Sequence, residues 1–284
     1  MPELPEVEIV CRGLKKFILN KKIICVESRC EKSFIGEKKQ IEGQKIISID
    51  RRGKAILINL SNDYTLMIHL RMTGQLVWRG DENFAAGHPT DDFIGKLPSK
   101  QTRVIFEFTD GFLYFNDQRK FGFVKVLPTE EVENDAFIRK LGKEPWQMEA
   151  IEFYQILQRH AKAPIKAVIL DQSNIAGLGN IYADESLFCA KIHPARRAGT
   201  LTKTEARQLL KCACDVMDES IASGGSTMAT YVRADGTKGD YLEKFAQVFR
   251  RDGQKCPRCG TEIIKIRLAG RGTHLCPKCQ KESQ

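Results

Sequence analysis

Cys256-Pro-Arg-Cys259 and Cys276-Pro-Lys-Cys279 are two C-x-x-C knuckles with sixteen residues between them. Each knuckle curls its two sulfurs toward one point. Two knuckles joined by a hairpin predict a closed tetrahedral thiolate cage for one structural Zn2+. A redox C-x-x-C stands alone near a βαβ unit, and no such unit is readable here. A catalytic zinc keeps an open position, and four cysteine ligands leave none. The metal therefore folds a piece of chain too small to hold itself. Between the knuckles, residues 263–268 and 273–275 read as strands, with Ala269-Gly270-Arg271-Gly272 as the tip. The glycines permit close backbone approach to a ligand, and a guanidinium suits a phosphate. An ordinary exposed turn arginine fits the same residues. A further strand is expected ahead of the first knuckle, from Glu243.

Working outward, the finger also carries the charge. Residues 241–284 hold ten Lys or Arg against four Asp or Glu, within a chain of 284 residues and net charge +9. Residues 1–130 are net +4 and residues 131–240 net −1. Such a balance favours a polyanionic partner and salt-sensitive binding. At 42% hydrophobic and 29% charged the chain is not a disordered tail. No apolar run of about 20 residues exists, which excludes a membrane-spanning helix. The start, with Glu3, Glu6 and Glu8, lacks the basic and apolar regions of a signal peptide. Ten cysteines in so long a chain suit a reducing, cytoplasmic interior better than a disulfide scaffold. No interface signal is present, so a monomer is expected.

Val7, Val10, Cys11, Leu14, Phe17 and Ile18 form a helical stripe over residues 5–18, with Pro5 acceptable in the first turn. From Ile23 to Val126 the pattern becomes short β-rich runs: 46–49, 55–60, 65–70, 104–108, 113–115 and 121–126. Asp110-Gly111 marks a hairpin between two of them. Residues 127–145 read as a linker, after which helices are expected over 149–160, 165–171 and 180–190. Thr202-Lys-Thr-Glu205 is a capping box opening a long fourth helix. Cys212 and Cys214 on that helix read as small packing residues. The fold class expected is α+β multidomain. An N-terminal β-sandwich domain flanked by helices covers 1–130, with a linker at 131–145. A helix–two-turn–helix domain follows at 146–240, and the zinc-finger β-hairpin occupies 241–284.

Two further stretches suggest chemistry. In Ile175-Ala-Gly177-Leu-Gly179-Asn180-Ile-Tyr182, glycines followed by a capping Asn leave backbone N–H groups free at a helix start, where a phosphate can sit. Such turns are often purely structural. At the other end, removal of Met1 would expose the secondary amine of Pro2. An α-amine titrates near pH ~8, so much of it is neutral near pH 7 and able to attack an electrophilic carbon. Glu3 places a possible general acid beside it.

Met1-Pro-Glu-Leu-Pro-Glu-Val-Glu8 resembles the start of the formamidopyrimidine-DNA glycosylases. So do Arg51-Arg-Gly-Lys54, His69-Leu-Arg-Met72-Thr-Gly, Arg119-Lys-Phe121-Gly, Gly177-Leu-Gly-Asn-Ile-Tyr182 and the finger with Ala269-Gly-Arg-Gly-Thr-His274. These follow the family's order and span nearly the whole chain. The resemblance implies a bifunctional DNA glycosylase and abasic-site lyase of base-excision repair. Such an enzyme removes 8-oxoguanine and formamidopyrimidines from damaged double-stranded DNA, then nicks the strand by β,δ-elimination. Pro2 would form the Schiff base and Glu3 would open the sugar ring. Lys54, on a β-strand, would help protonation and contact phosphate. Arg271 would grip phosphates at the lesion and assist the δ-elimination, and Asn180 would bind phosphate. His69 and Lys162 would contact DNA, and Glu6 would lie near the everted base. Met72, Arg119 and Phe121 match the trio that fills the gap left by a flipped base, a step costing a few kcal/mol of unstacking. The loop 226–238 would cover that base.

One departure matters. Where the family often has a histidine that contacts DNA, this chain has Gln101, which can bond phosphate but carries no charge. The basic loop before Ile165 is also sparse, with Lys162 and Lys166 remaining. Two alternatives stay in view. One is an endonuclease VIII-like glycosylase for oxidised pyrimidines, against which Leu4 and the Met72, Arg119 and Phe121 set argue. The other is a non-enzymatic zinc-ribbon DNA-binding protein.

Overall fold

Helix α1 (Leu4–Ile18) begins where the sequence predicts, with Pro5 in its first turn. Glu3 is its N-cap in a capping box with Glu6, and the Glu3 N–H donates to Glu6 Oε2 at 2.7 Å. Leu4, Val7, Val10, Leu14 and Ile18 form its buried stripe. The computed structural model describes residues 2–88, 90–224 and 246–282. The chain divides into two compact units. One runs to Arg139. The other comprises Lys140–Ser223 together with the described residues from 246 onward.

The first unit contains ten strands: β1 (Cys25–Ser28), β2 (Phe34–Ile35), β3 (Ile46–Arg52), β4 (Ala55–Leu60), β5 (Tyr64–His69), β6 (Gly74–Gly80), β7 (Phe84–Gly87), β8 (Thr102–Phe108), β9 (Gly111–Asp117) and β10 (Phe123–Pro128). They make two five-stranded sheets, ordered β1-β8-β9-β6-β7 and β2-β10-β5-β4-β3. Phe108 pairs with Gly111, so Asp110 lies in the β8–β9 turn as expected. Ile56, Ile58 and Ile68 of one sheet, Leu76, Phe106 and Phe115 of the other, and the α1 stripe form one core. Each such side chain contributes roughly 1.5–3 kcal/mol by leaving water. Strands β6 and β7 were not anticipated. Glycine bounds β6 at both ends, which leaves only Leu76, Val77 and Trp78 as a strand signal, and β7 reads Phe-Ala-Ala-Gly without a β-branched residue.

The second unit holds α2 (Ala150–Arg159), α3 (Ile165–Leu170), α4 (Asn180–Cys189) and α5 (Lys203–Ala222), then β11 (Ile264–Leu268) and β12 (Arg271–Leu275). Thr202 and Glu205 form the expected capping box. Glu205 also takes both Arg196 terminal nitrogens, at 2.5 and 2.9 Å, and its bonds to Arg196 pull its carboxyl to about 2. The strand expected from Glu243 begins outside the described residues, and residues 246–255 hold none. Another expectation fails. Cys212 is joined to Cys189 by a disulfide across α4 and α5, Cα atoms 5.8 Å apart, so it does more than pack.

The finger is fastened to α4. Asp184 Oδ2 accepts the His274 backbone N–H at 2.9 Å. Glu185 accepts three backbone N–H groups, from Gln247, Val248 and Phe249, at 2.7 to 3.0 Å. Burial still raises the Glu185 carboxyl above its usual range. Arg258 lies over the Phe188 ring, 4.2 Å from its centroid. A helix buried on nearly every side, with two acids in its middle, thus supplies acceptors to the backbone N–H groups of the segments packed on it.

Candidate functional site

In the first unit the N-terminal residues are held rather than loose. Pro2 is buried and Glu3 is 3% exposed at the positive end of α1. Glu6, also buried, faces Glu3 within the capping box. Lys54 is buried and follows Gly53 in the turn between β3 and β4, not within a strand as expected. Gly53 has φ +55, which lets the chain reverse in two residues. Arg51 Nε donates to Glu8 Oε2 at 2.7 Å, which ties this hairpin to α1. Burial works against the Glu8 charge, but Arg12 and Arg51 together hold its carboxyl below the ordinary range. One helix therefore positions both Glu3 and, through Glu8, the Lys54 turn.

His69 closes β5 and is buried, packed edge-on to the Phe137 ring at 5.0 Å. Burial, then the charges of Arg71 and Lys54, lower its pKa to about 3. It is a neutral imidazole whose Nδ1 accepts the Arg71 N–H, at 3.0 Å. The DNA contact expected of His69 would therefore be made by an uncharged ring. Gln101 has its Oε1 buried with no partner among the described residues, while its carbonyl accepts the Asp117 N–H.

Met72 (36% exposed) and Phe121 (55% exposed) are large apolar side chains in water, on the loops after β5 and β9. Arg119 lies over the Phe121 ring at 4.8 Å. Asp117 joins the two loops. It is fully buried, bonds the Thr73 hydroxyl, and accepts the N–H of Arg119 at 3.1 Å and of Gly122 at 2.7 Å. A side chain at Gly74 would meet the Leu70 carbonyl oxygen at 2.4 Å, so the Met72 loop closes only over glycine. The expected trio is brought together, and its framework, Thr73 and Asp117, was not singled out from sequence. The loop 226–238 lies outside the described residues.

In the second unit Ala269 and Gly270 take positive φ and make the β-turn. Arg271 is the first residue of β12, paired with Leu268, so it sits one step past the tip expected from sequence. Its side chain is exposed. Asn180 opens α4 behind an N-cap Gly179 and does not cap. Its Nδ2 donates to the Gly272 carbonyl at 3.0 Å, and its Oδ1 is buried without a partner among the described residues. Lys162 is exposed.

Lys166, read from sequence as a loop cation, is instead 0% exposed. Its Nζ lies 2.6 Å from Asp184 Oδ1, 3.1 Å from the Gly272 carbonyl and 2.8 Å from Thr273 Oγ1. Lys166 and Asn180 thus hold the same carbonyl, next to Arg271. The signal was present: a lysine between Ile165 and Val168, with Asp184 inside an apolar helix, calls for a buried partner. Lys166→Met should cost about 3–5 kcal/mol, because it strands the buried Asp184 carboxylate. The double variant with Asp184→Asn should recover part of that. Urea unfolding checks this; a single variant no less stable than the double would remove the assignment.

The four knuckle sulfurs lie within 4.8 Å of one another. Cys256 and Cys279 Sγ are 3.9 Å apart, and Cys259 and Cys276 Sγ 3.5 Å. A tetrahedral zinc with bonds of ~2.3 Å has sulfur–sulfur edges of about 3.8 Å, so the donors fit. Cys256, Cys259, Cys276 and Cys279 hold one structural zinc.

Comparison with known proteins follows the same division. Residues 1–124 match the formamidopyrimidine-DNA glycosylase N-terminal domain, 141–232 the helix–two-turn–helix domain of those enzymes, and 253–281 a zinc finger they share with an isoleucyl-tRNA synthetase. A formamidopyrimidine-DNA glycosylase of Pelotomaculum thermopropionicum is 42% identical, with 99% of each chain covered. One of Streptococcus pneumoniae is 41% identical over 99% of both chains. A crystal structure of a Lactococcus lactis variant with DNA containing Fapy-dG is 35% identical with TM-score 0.86, covering 99% of this chain and 100% of that one. The Lactococcus enzyme bound non-covalently to DNA with an abasic site gives TM-score 0.85 at 34% identity, with the same coverage.

Proposed function

The chain belongs to the formamidopyrimidine-DNA glycosylase family, and from that premise we propose that it excises oxidised purines, 8-oxoguanine and formamidopyrimidines, from duplex DNA and then nicks the abasic strand. The observation that carries this reading is the buried Pro2-Glu3 pair at the positive end of α1, with the Lys54 turn tied to the same helix. With Met1 removed, Glu3 gives its proton to the sugar ring oxygen, the bond from that oxygen to the anomeric carbon breaks and the Pro2 nitrogen attacks that carbon. The base then leaves with the proton of the Pro2 amine, and the nitrogen lone pair completes an iminium. Elimination then releases the 3′ and 5′ phosphates in turn. Lys54 assists proton transfer and contacts phosphate, and Glu6 lies near the everted base. Met72, Arg119 and Phe121 fill the vacated stack, where two apolar wedges and one donor suit a gap facing an unpaired cytosine. Arg271, Asn180 and Lys162 hold phosphates, with His69 and Gln101 in supporting contacts. The finger's charge gives salt-dependent, sequence-independent affinity. No helix among the described residues is long and apolar enough to cross a membrane. The enzyme works as a monomer on cytoplasmic DNA.

Borohydride reduction of the iminium is the test. Protein lacking Met1 should be trapped covalently on duplexes containing 8-oxoguanine, and more efficiently than on duplexes containing an oxidised pyrimidine. Absence of a trapped complex overturns the lyase reading. Preference for the pyrimidine lesion would favour the endonuclease VIII-like alternative.

A further inference from the structure

Helix α2 carries two apolar stripes. Phe153, Ile156 and Leu157 face the interior, where α2 packs against α5. Ile151 and Tyr154 flank that face, on the edge turned toward the start of α5, with Ile151 51% exposed. Single exposed aliphatic residues are common on protein surfaces. This one is part of a shaped feature. Ala150, Ile151 and Tyr154 of α2 and Lys203, Thr204 and Arg207 of α5 line one cleft of about 230 Å3. That is below the ~300 Å3 at which small-molecule sites begin, and suits a protruding side chain.

The rim of the cleft is basic. Lys203 lies 5.9 Å from the Tyr154 ring centroid, and neither Lys203 nor Arg207 pairs with a carboxylate among the described residues. Nearby acids are already engaged: Glu152 with Lys143 at 2.8 Å, and Glu205 with Arg196. The floor is apolar and aromatic, and two cations stand over it without counter-charges. A phosphate backbone would meet the cations but leave Ile151 in water. An acidic peptide with one apolar side chain satisfies both halves at once.

We propose that the α2–α5 cleft docks a partner protein through an acidic segment bearing a single aromatic or aliphatic anchor. The anchor covers Ile151 and stacks along Tyr154. The flanking carboxylates meet Lys203 and Arg207. None of these residues is part of the machinery assigned above, so recruitment and catalysis are separable.

The probe is a fluorescein-labelled, aspartate-rich peptide with one central phenylalanine, titrated by anisotropy against the full-length zinc-loaded protein. Saturable binding is expected at about 10–100 μM. Ile151→Ser, Arg207→Glu, and replacement of the peptide's phenylalanine by alanine should each weaken it about tenfold or more. Added salt should weaken it further. Ile151 and Arg207 are exposed, and incision by both variants should equal that of the parent. The proposal fails if the peptide does not saturate, or if binding survives both variants. It also fails if a single-stranded oligonucleotide displaces the peptide and loses affinity equally in the variants, or if incision falls with peptide binding. Those last outcomes would make the cleft a nucleic-acid contact.

Discussion

Glu3→Gln should lower the single-turnover rate of base release by about 10²–10⁴-fold, the range a positioned general acid supplies. The substitution is close to isosteric. Glutamine keeps an oxygen to accept the N–H in the capping box, and the Glu3 backbone N–H still reaches Glu6 Oε2. The helix should therefore lose under about 1 kcal/mol, which a thermal melt can check. Only the proton is gone. A duplex already carrying an abasic site offers the control, because its sugar opens without help. Borohydride trapping on that substrate should fall far less than trapping on 8-oxoguanine. If Glu3→Gln releases the base at the parent rate, the acid is elsewhere. If both substrates fall equally, Glu3 acts on the attack by Pro2 and not on the ring.

Loss of zinc should have the second large effect. The finger's own core is Val248, Ile263 and the buried Cys256 and Cys276, resting on Phe188 of α4. Such a core is too small to stand without metal, and structural zinc contributes about 10–16 kcal/mol to folding in isolated fingers. Chelation, or Cys276→Ser, should release the hairpin that carries Arg271 while the β-sandwich stays folded. DNA affinity should fall about 100-fold or more, equivalent to about 2.8 kcal/mol. Elemental analysis should find one zinc per chain before treatment. Metal-free protein that binds DNA as tightly as before would show that the finger's grip is dispensable.

Much of this was readable from residues alone, and for identifiable reasons. Paired C-x-x-C knuckles have few other uses, and the helical stripe from Val7 to Ile18 is strongly periodic. Asp110-Gly111 and the Thr202–Glu205 box name their own local geometry. What stayed hidden depends on partners distant in sequence. Lys166 looks like any loop lysine until Asp184 and Gly272 are placed around it. Asn180 looks like a cap, yet its amide reaches a carbonyl 92 residues away. Arg271 moved by one position because Ala269, not only glycine, accepts φ +48 in the turn. Nothing in the sequence around His69 shows its burial, which makes the ring neutral. Strands β6 and β7 were missed because pairing, not propensity, makes them strands.

The buried Asp117 bridge has a kinetic corollary. Thr73 and Arg119 share that carboxylate, so the loops bearing Met72 and Phe121 are tied at their bases. If those loops enter the base stack as proposed, they are expected to enter together, so that testing a base pair becomes one barrier crossing. Asp117→Asn should then weaken the tie and shorten the dwell on undamaged DNA, which single-molecule tracking checks.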